Sequence, residues 1–288
     1  MGLRCPRKLS WRKMKLHEIP AVEALLKTNE RWCMNACSRY INRESLKGEV
    51  WILRDETEEL SAVLIHARQA LLPVRNGQVH FPEPHFLCGI LGLAPVHSLQ
   101  GKKCDIQSME TKMGKIGLFA TEKVDFDLMC IDKQPLDFCS AGPAGLITRK
   151  PTLDDMDSLV ALHAAYEEEE VMSGGRELNP AVSRLRMEQI FAKEQMLVAE
   201  FNGNLIGKIN TNAVTFTRSQ VGGVYVQPAY RGQGIARRMA GEFIANLVAQ
   251  GRGISLFVKK SNIAARRVYQ NIGFEILDSY RINYYHKG

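Results

Sequence analysis

Two spacings of apolar residues alternate along the second half of the chain, one near two residues and one near 3.6, which predicts strands interleaved with helices. Residues 145–150 read as a strand. Thr152-Leu153-Asp154-Asp155 has the form of a capping box, and Met156, Leu159, Val160, Leu162, His163 and Tyr166 then recur at helical spacing. Asn179-Pro180 breaks the chain before a second helix over 181–192. Residues 195–201 and 205–215 flank the turn Asn202-Gly203-Asn204, a hairpin signal. A strand over 220–226, a helix reaching about Gln250, a strand over 254–258, a helix from Asn262 and a final strand over 274–285 complete this half. In the first half, 17–28 and 30–41 read as helices and 50–53 with 61–68 as a hairpin. An apolar stretch at 86–93, a helix near 104–113 and strands at 116–120 and 126–131 follow, so both halves share one order of elements. Ser140, Gly142 and Pro143 loosen the chain over 137–143, which divides it into expected units of 1–139 and 140–288.

The chemistry concentrates where the strand over 220–226 meets its helix. Val224-Tyr225-Val226 is a short apolar run, Pro228 ends its pairing, and Arg231-Gly232-Gln233-Gly234-Ile235-Ala236 opens the helix. A helix start leaves main-chain N–H groups unpaired and carries partial positive charge, so it attracts an anion. Glycines at 232 and 234 remove side chains that would hold a phosphate away. The loop predicts a diphosphate site. A dinucleotide fingerprint would need a third glycine where Arg237 stands, and a nucleoside-triphosphate loop would need Gly-Lys-Ser/Thr.

Arg231, Gly234 and Ala236 fall on the three defining places of the Arg/Gln-x-x-Gly-x-Gly/Ala signature, and this stretch resembles the GNAT acetyltransferase superfamily. A second block strengthens the resemblance. Asn262 is followed by Ala265, Tyr269, Gly273 and Phe274, which looks like the superfamily's asparagine-led helix carrying a tyrosine and closing at Gly-Phe. Locally, Ser261 or Asn262 can cap this helix and Gly273 can end it in the left-handed conformation. The resemblance implies an α/β fold over 145–288, with a GNAT-like mixed central sheet flanked by helices. It also makes the first half a second, degenerate GNAT-like domain, not expected to hold the cofactor. Its segment 94–101, taken as the counterpart of the phosphate loop, lacks the paired glycines and the arginine.

The implied cofactor is acetyl-CoA or another acyl-CoA. By the resemblance, the backbone of Val224, Tyr225 and Val226 pairs with the pantetheine arm. Main-chain N–H groups of Arg231, Gly232, Gln233, Gly234, Ile235 and Ala236 hold the diphosphate, and Asn262 and Ala265 lie along the arm. The implied reaction is acyl transfer to a primary amine by direct attack, which needs a base for the ammonium and an acid for the thiolate. Tyr269 occupies the family's acid position. Many members carry a glutamate on the strand before the loop, but Gln220-Val221-Gly222-Gly223-Val224-Tyr225-Val226 has no carboxylate. Glu167-Glu168-Glu169-Glu170 lies at a helix end, against the dipole and beside Ser173-Gly174-Gly175, a placement that marks candidate function. Glu169 or Glu170 is the candidate base, and His163, on an apolar face, reads as a core residue.

Composition narrows the remaining classes. Hydrophobic residues make up 45% and no apolar run reaches membrane-spanning length, so a folded cytoplasmic protein without membrane contact is expected. Seven cysteines, all in the first 139 residues and without Cys-x-x-Cys spacing, predict neither a disulfide framework nor a metal site. The net charge of +7 is spread over both halves, which does not suggest a nucleic-acid partner. Between 221 and 274, Arg231, Arg237, Arg238, Arg252, Lys259, Lys260, Arg266 and Arg267 face only Glu242, an excess suited to a multiply phosphorylated cofactor. The expected acceptor is a small-molecule or peptide amine. The alternatives are a non-catalytic acyl-CoA-binding regulatory module and a scaffold whose first half recruits a protein.

Overall fold

The structure, a computed structural model, describes residues 10–42, 50–77, 81–92, 95–136, 138, 141–171 and 178–285. By contacts the chain divides into two units, residues 1–128 with 277–288, and residues 129–276. The contact boundary falls after Leu128, earlier than the expected 139/140, and the final strand counts with the first unit. The reason is pairing. The last strand, β12 (Glu275–Tyr284), runs antiparallel to β5 (Ser98–Lys102), from Tyr280 opposite Lys102 to Tyr284 opposite Ser98.

In the first unit, β1 (Arg12–Lys13), α1 (Ile19–Thr28) and α2 (Met34–Ile41) precede β2 (Val50–Arg54) and β3 (Leu60–Ala67). Then come β4 (Ala70–Arg75), α3 (Pro84–Leu91), β5, α4 (Lys103–Gly114) and β6 (Glu122–Ile131), with strand order β1-β2-β3-β4-β5-β12-β6. Its core joins Trp51, Leu64, Leu71 and Leu99 of the strands to Leu87 and Ile106 of the helices.

Besides the two-residue β1, three elements here differ from expectation. Strand β4 is additional: the β3–β4 turn passes through Arg68 and Gln69 at φ 48° and 63° without a glycine or asparagine to announce it. Strand β5 is also additional, because Ser98 and Gln100 are buried polar residues that break the apolar alternation. Residues 116–120 form no strand; Ile116 and Leu118 instead close a turn onto the Met113 carbonyl. The apolar stretch at 86–93 lies largely in helix α3, and residues 98–101 of the expected loop segment lie in strand β5.

In the second unit, β7 (Ile147–Arg149), α5 (Met156–Tyr166), α6 (Pro180–Lys193), β8 (Met196–Phe201), β9 (Asn204–Val214) and β10 (Arg218–Val226) match the expected order. Helix α7 (Ile235–Ala249), β11 (Gly253–Lys259) and α8 (Ile263–Asn271) follow, and the strands lie in the order β11-β10-β9-β8-β7. Met239, Phe243, Ile244 and Leu247 of α7 pack with Tyr269 and Phe274 into one core cluster. Leu159 and Leu162 of α5 pack with Met187 of α6 into another. Burying such side chains contributes roughly 1.5–3 kcal/mol each. Phe138 of the expected linker is itself packed: a Cβ at Gly241 of α7 would run into its side chain, so a larger residue at 241 would displace it.

An ionic knot anchors the start of α5. Arg149 donates to Asp155 at 2.7 and 2.8 Å and to Glu200 at 2.7 Å, and the Thr152 N–H closes the predicted capping box on Asp155 at 2.7 Å. The Arg149 guanidinium holds the Asp155 carboxyl down at about 2. A depressed carboxylate adds stability above its ordinary range near 4, and that stability fades as pH falls from there towards 2. Asp155→Asn is therefore expected to cost about 1 kcal/mol at neutral pH after solvent screening, and only a small fraction of that at pH 2. Urea unfolding across that range measures the difference.

Candidate active site

Strand β10 and helix α7 are joined by a short 3₁₀ turn, Pro228–Tyr230, and the loop through Arg231 to Gly234. Gly232 and Gly234 both adopt left-handed backbone, at φ 77° and 81°. The first helical bond of α7 runs from the Arg238 N–H to the Gly234 carbonyl, so the N–H groups of the preceding turn have no helical partner. A Cβ at Gly232 would meet nothing within 4 Å, whereas one at Gly234 would lie 3.0 Å from the Gly142 nitrogen. The expected linker therefore braces the loop from behind and leaves its front open.

Helix α8 forms the opposite wall. Asn262 Oδ1 accepts the Ala265 N–H at 3.0 Å and so caps the helix, and Gly273 ends it at φ 100°. The parallel ladder between β10 and β11 runs from Arg218 opposite Gly253 to Val221 opposite Leu256 and stops there. Beyond that point the two strands part, and a cleft of about 440 Å³ opens between the end of β10 and α8. Val224, Tyr225 and Val226 line it, as do Arg231, Gly232, Gly234, Ile235 and Ala236 of the loop. Asn262, Ala265 and Tyr269 line the far side. Of the expected cofactor residues, Gln233 alone is absent from this lining; it is exposed at the tip of the loop. The lining also includes Arg237, one of the basic residues in excess over 221–274, and Tyr230 and Val268, whose only sequence signal is adjacency to the two blocks.

Tyr269 is buried, its ring 5.7 Å edge-to-face from Phe274. Burial pushes its phenol well above the ordinary tyrosine range, with the Tyr166 hydroxyl and Glu170 adding to the effect. It therefore stays protonated. Tyr166, at the end of α5, is likewise pushed up to about 12 by burial, and the Gly223 N–H donates to its hydroxyl.

The run of four glutamates ends in a single π-turn, Glu167–Val171, and this turn sorts them. π-turns inside helices are rare and are frequent at functional sites. Glu167 points inward: burial opposes its ionisation, yet hydrogen bonds, with Arg186 at 2.6 Å among them, hold it below the usual range. Glu168 is exposed, while Glu169 and Glu170 both line the cleft. Glu169 takes a bidentate pair from Arg231 at 2.8 and 2.7 Å, which lowers its own pKa and raises that of Arg231. Glu170 accepts from the Asn262 amide at 2.9 Å. Both carboxylates thus rest on residues that line the cleft, one on the glycine loop and one at the start of α8. The hinge expected at 173–175 lies outside the described residues. His163 is buried beside Glu167 and pulled down to about 4, mainly by burial and then by the charge on Lys208, so it is neutral at pH 7.

The Glu169–Arg231 pair is about two-fifths exposed on both sides, so it contributes only about 0.5 kcal/mol. Glu169→Gln, which leaves Arg231 free for an anion, is expected to tighten coenzyme A binding about two- to threefold in calorimetry.

Among the described residues no cluster of metal-ligating side chains occurs and no helix is long and apolar enough to cross a membrane. No curated protein matches the chain by sequence. Solved structures share its fold at low identity. A GCN5-related N-acetyltransferase from Sphaerobacter thermophilus is 18% identical, with a TM-score of 0.59 over 97% of this chain and 96% of its own. A Drosophila protein is 12% identical, with a TM-score of 0.64 over 95% and 98% of the two chains. A GCN5-related N-acetyltransferase from Kribbella flavida is 14% identical, with a TM-score of 0.56 over 89% and 96%. These likenesses extend over both units, which is consistent with a second GNAT-like domain in the first half. Residues 159–274, which hold the open-mouthed glycine loop and the capped tyrosine helix, match the family model for the acetyltransferase (GNAT) family, and the chain carries a domain of that family there.

Proposed function

We propose that this protein is an acyl-CoA-dependent N-acyltransferase that moves an acetyl group to a primary amine of a small molecule or peptide. The observation that carries the reading is the cleft itself. An open, left-handed glycine loop at a helix start faces a capped helix whose tyrosine is buried and protonated. The residues suit coenzyme A: free N–H groups around Gly232 to Ala236 for the diphosphate, the edge of Val224 to Val226 for the pantetheine amides, and Asn262 beside it. Acetyl-CoA supplies the activated acyl thioester. Tyr269 donates a proton to the departing thiolate, since its phenol remains protonated throughout the working pH range. Glu169 and Glu170 give the cleft the negative charge that draws an ammonium. Among the proton acceptors this reading admits, Glu169 is handicapped by its tie to Arg231.

Calorimetry with acetyl-CoA, followed by thiol-release assays with an alanine-terminated peptide, spermidine and glucosamine, tests the proposal. Micromolar binding with thiol release is expected. Binding without release from any amine would favour the regulatory module, and no binding at millimolar cofactor would overturn the site.

A further inference from the structure

Strand β10 carries glycine at 222 and 223, immediately before Val224 in the cleft wall. The space beside them is filled from β9, where Lys208, Asn210 and Asn212 recur at a spacing of two and share one face. A Cβ at Gly222 would run into the Asn212 amide. One at Gly223 would run into Asn210 and lie 3.0 Å from Lys208 Nζ. The lysine nitrogen thus stands where a side chain at 223 would begin. A bulge in the β9–β10 ladder, between Gly222 opposite Asn210 and Tyr225 opposite Lys208, bends the strand at this point.

Lys208 is wholly buried, at 0% exposure. Its Nζ donates to the Gly223 carbonyl at 2.9 Å and to Asn210 Oδ1 at 3.3 Å, and sits 5.0 Å from the centre of the Tyr166 ring. Among the described residues no carboxylate forms an ion pair with it. The titratable and charged groups around it are His163 and Tyr166 of α5, Glu167 of the π-turn and, behind that carboxylate, Arg186 of α6. Burial pulls Lys208 down to about 7 against the opposing influence of Glu167. A methionine would fill such a place without desolvating an ammonium. A buried amine with neutral hydrogen-bond partners, bonded to the carbonyl of the residue just before the cleft-lining Val224, has the properties of a general base.

Resting on the reading of the cleft as an acyl-CoA site, we propose that Lys208 is the proton acceptor for the incoming amine, supplied from β9 because β10 has no carboxylate. Across one water, its neutral amine takes one proton from the acceptor's ammonium. The freed lone pair forms the new C–N bond as the C–S bond breaks. Tyr269 protonates the thiolate and recovers the second nitrogen proton, and Lys208 returns its own proton to solvent.

Lys208→Met tests the assignment in the full chain, with acetyl-CoA and whichever of the three amines reacts best. The expected result is a loss of about 10²-fold in kcat with coenzyme A affinity unchanged. The wild-type rate should climb with an apparent pKa near 7, and this limb should vanish in K208M. In protein labelled with ¹³C-lysine, one signal missing from K208M should titrate near 7. If K208M does not fold, Lys208→Arg assigns the signal and the wild-type titration decides. A signal titrating near 10, or a K208M enzyme that keeps the rate and the limb, would overturn the proposal alone. Loss of the limb in Glu170→Gln but not in K208M would move the role to the carboxylate. No thiol release by the wild-type protein would instead overturn the enzymatic reading and this inference with it.

Discussion

Gly234→Val is expected to weaken coenzyme A binding by more than 100-fold and to destabilise the second unit by about 3 kcal/mol. Two effects act at this residue. Its backbone lies at φ 81°, ψ −1°, where a β-branched side chain is strained by roughly 1–3 kcal/mol. A Cβ there would also press on the Gly142 nitrogen at 3.0 Å and on the Ala141 side chain at 3.3 Å, so either the loop or the segment behind it must move. Movement of the loop re-aims the N–H groups to which the proposed function assigns the diphosphate. Gly232→Ala separates the two effects. Residue 232 has nearly the same φ, 77°, but open space around it, so only the strain of about 1 kcal/mol should appear. Calorimetry and thermal unfolding of both variants measure the contrast. Equal loss of affinity in the two would show that the brace at Gly142 is irrelevant.

Tyr269→Phe should lower kcat by 10²- to 10⁴-fold, the usual contribution of a positioned general acid, with the dissociation constant of coenzyme A nearly unchanged. The ring packs against Phe274 and belongs to the core beneath α7, and phenylalanine keeps that packing. The variant therefore removes the proton and little else. Because burial raises the phenol above its ordinary pKa near 10, the wild-type rate should not fall as pH passes 10 on account of this group. A variant that kept its rate, or a wild-type rate that halved near pH 10 through tyrosine ionisation, would leave Tyr269 as a core residue only.

Much of the second unit is legible in the amino-acid order alone. The capping box at Thr152, the break at Asn179-Pro180, the Asn-Gly turn at 202–203 and the left-handed end at Gly273 each act within four or five residues, and each stands as expected. The lining of the cleft is legible for the same reason, since a glycine loop at a helix start and a capped helix are local devices. The first unit is less so. Its β3–β4 turn uses Arg68 and Gln69 in place of turn-forming residues, and β5 carries buried polar side chains. Long-range pairing overrides local propensity there.

Chain-local chemistry was enough to announce a glycine loop at a helix start, a tyrosine-bearing helix and a strand lacking a carboxylate, because those features depend on neighbours in sequence. Folding alone decided the fates of the four glutamates, one turned inward and two into the cleft, since a π-turn shifts the register of faces. It also decided that Lys208, an ordinary cation in an apolar strand, would be sealed beside Gly223 with neutral partners. A side chain's protonation follows from how completely water is removed around it, and that is a property of packing rather than of order along the chain.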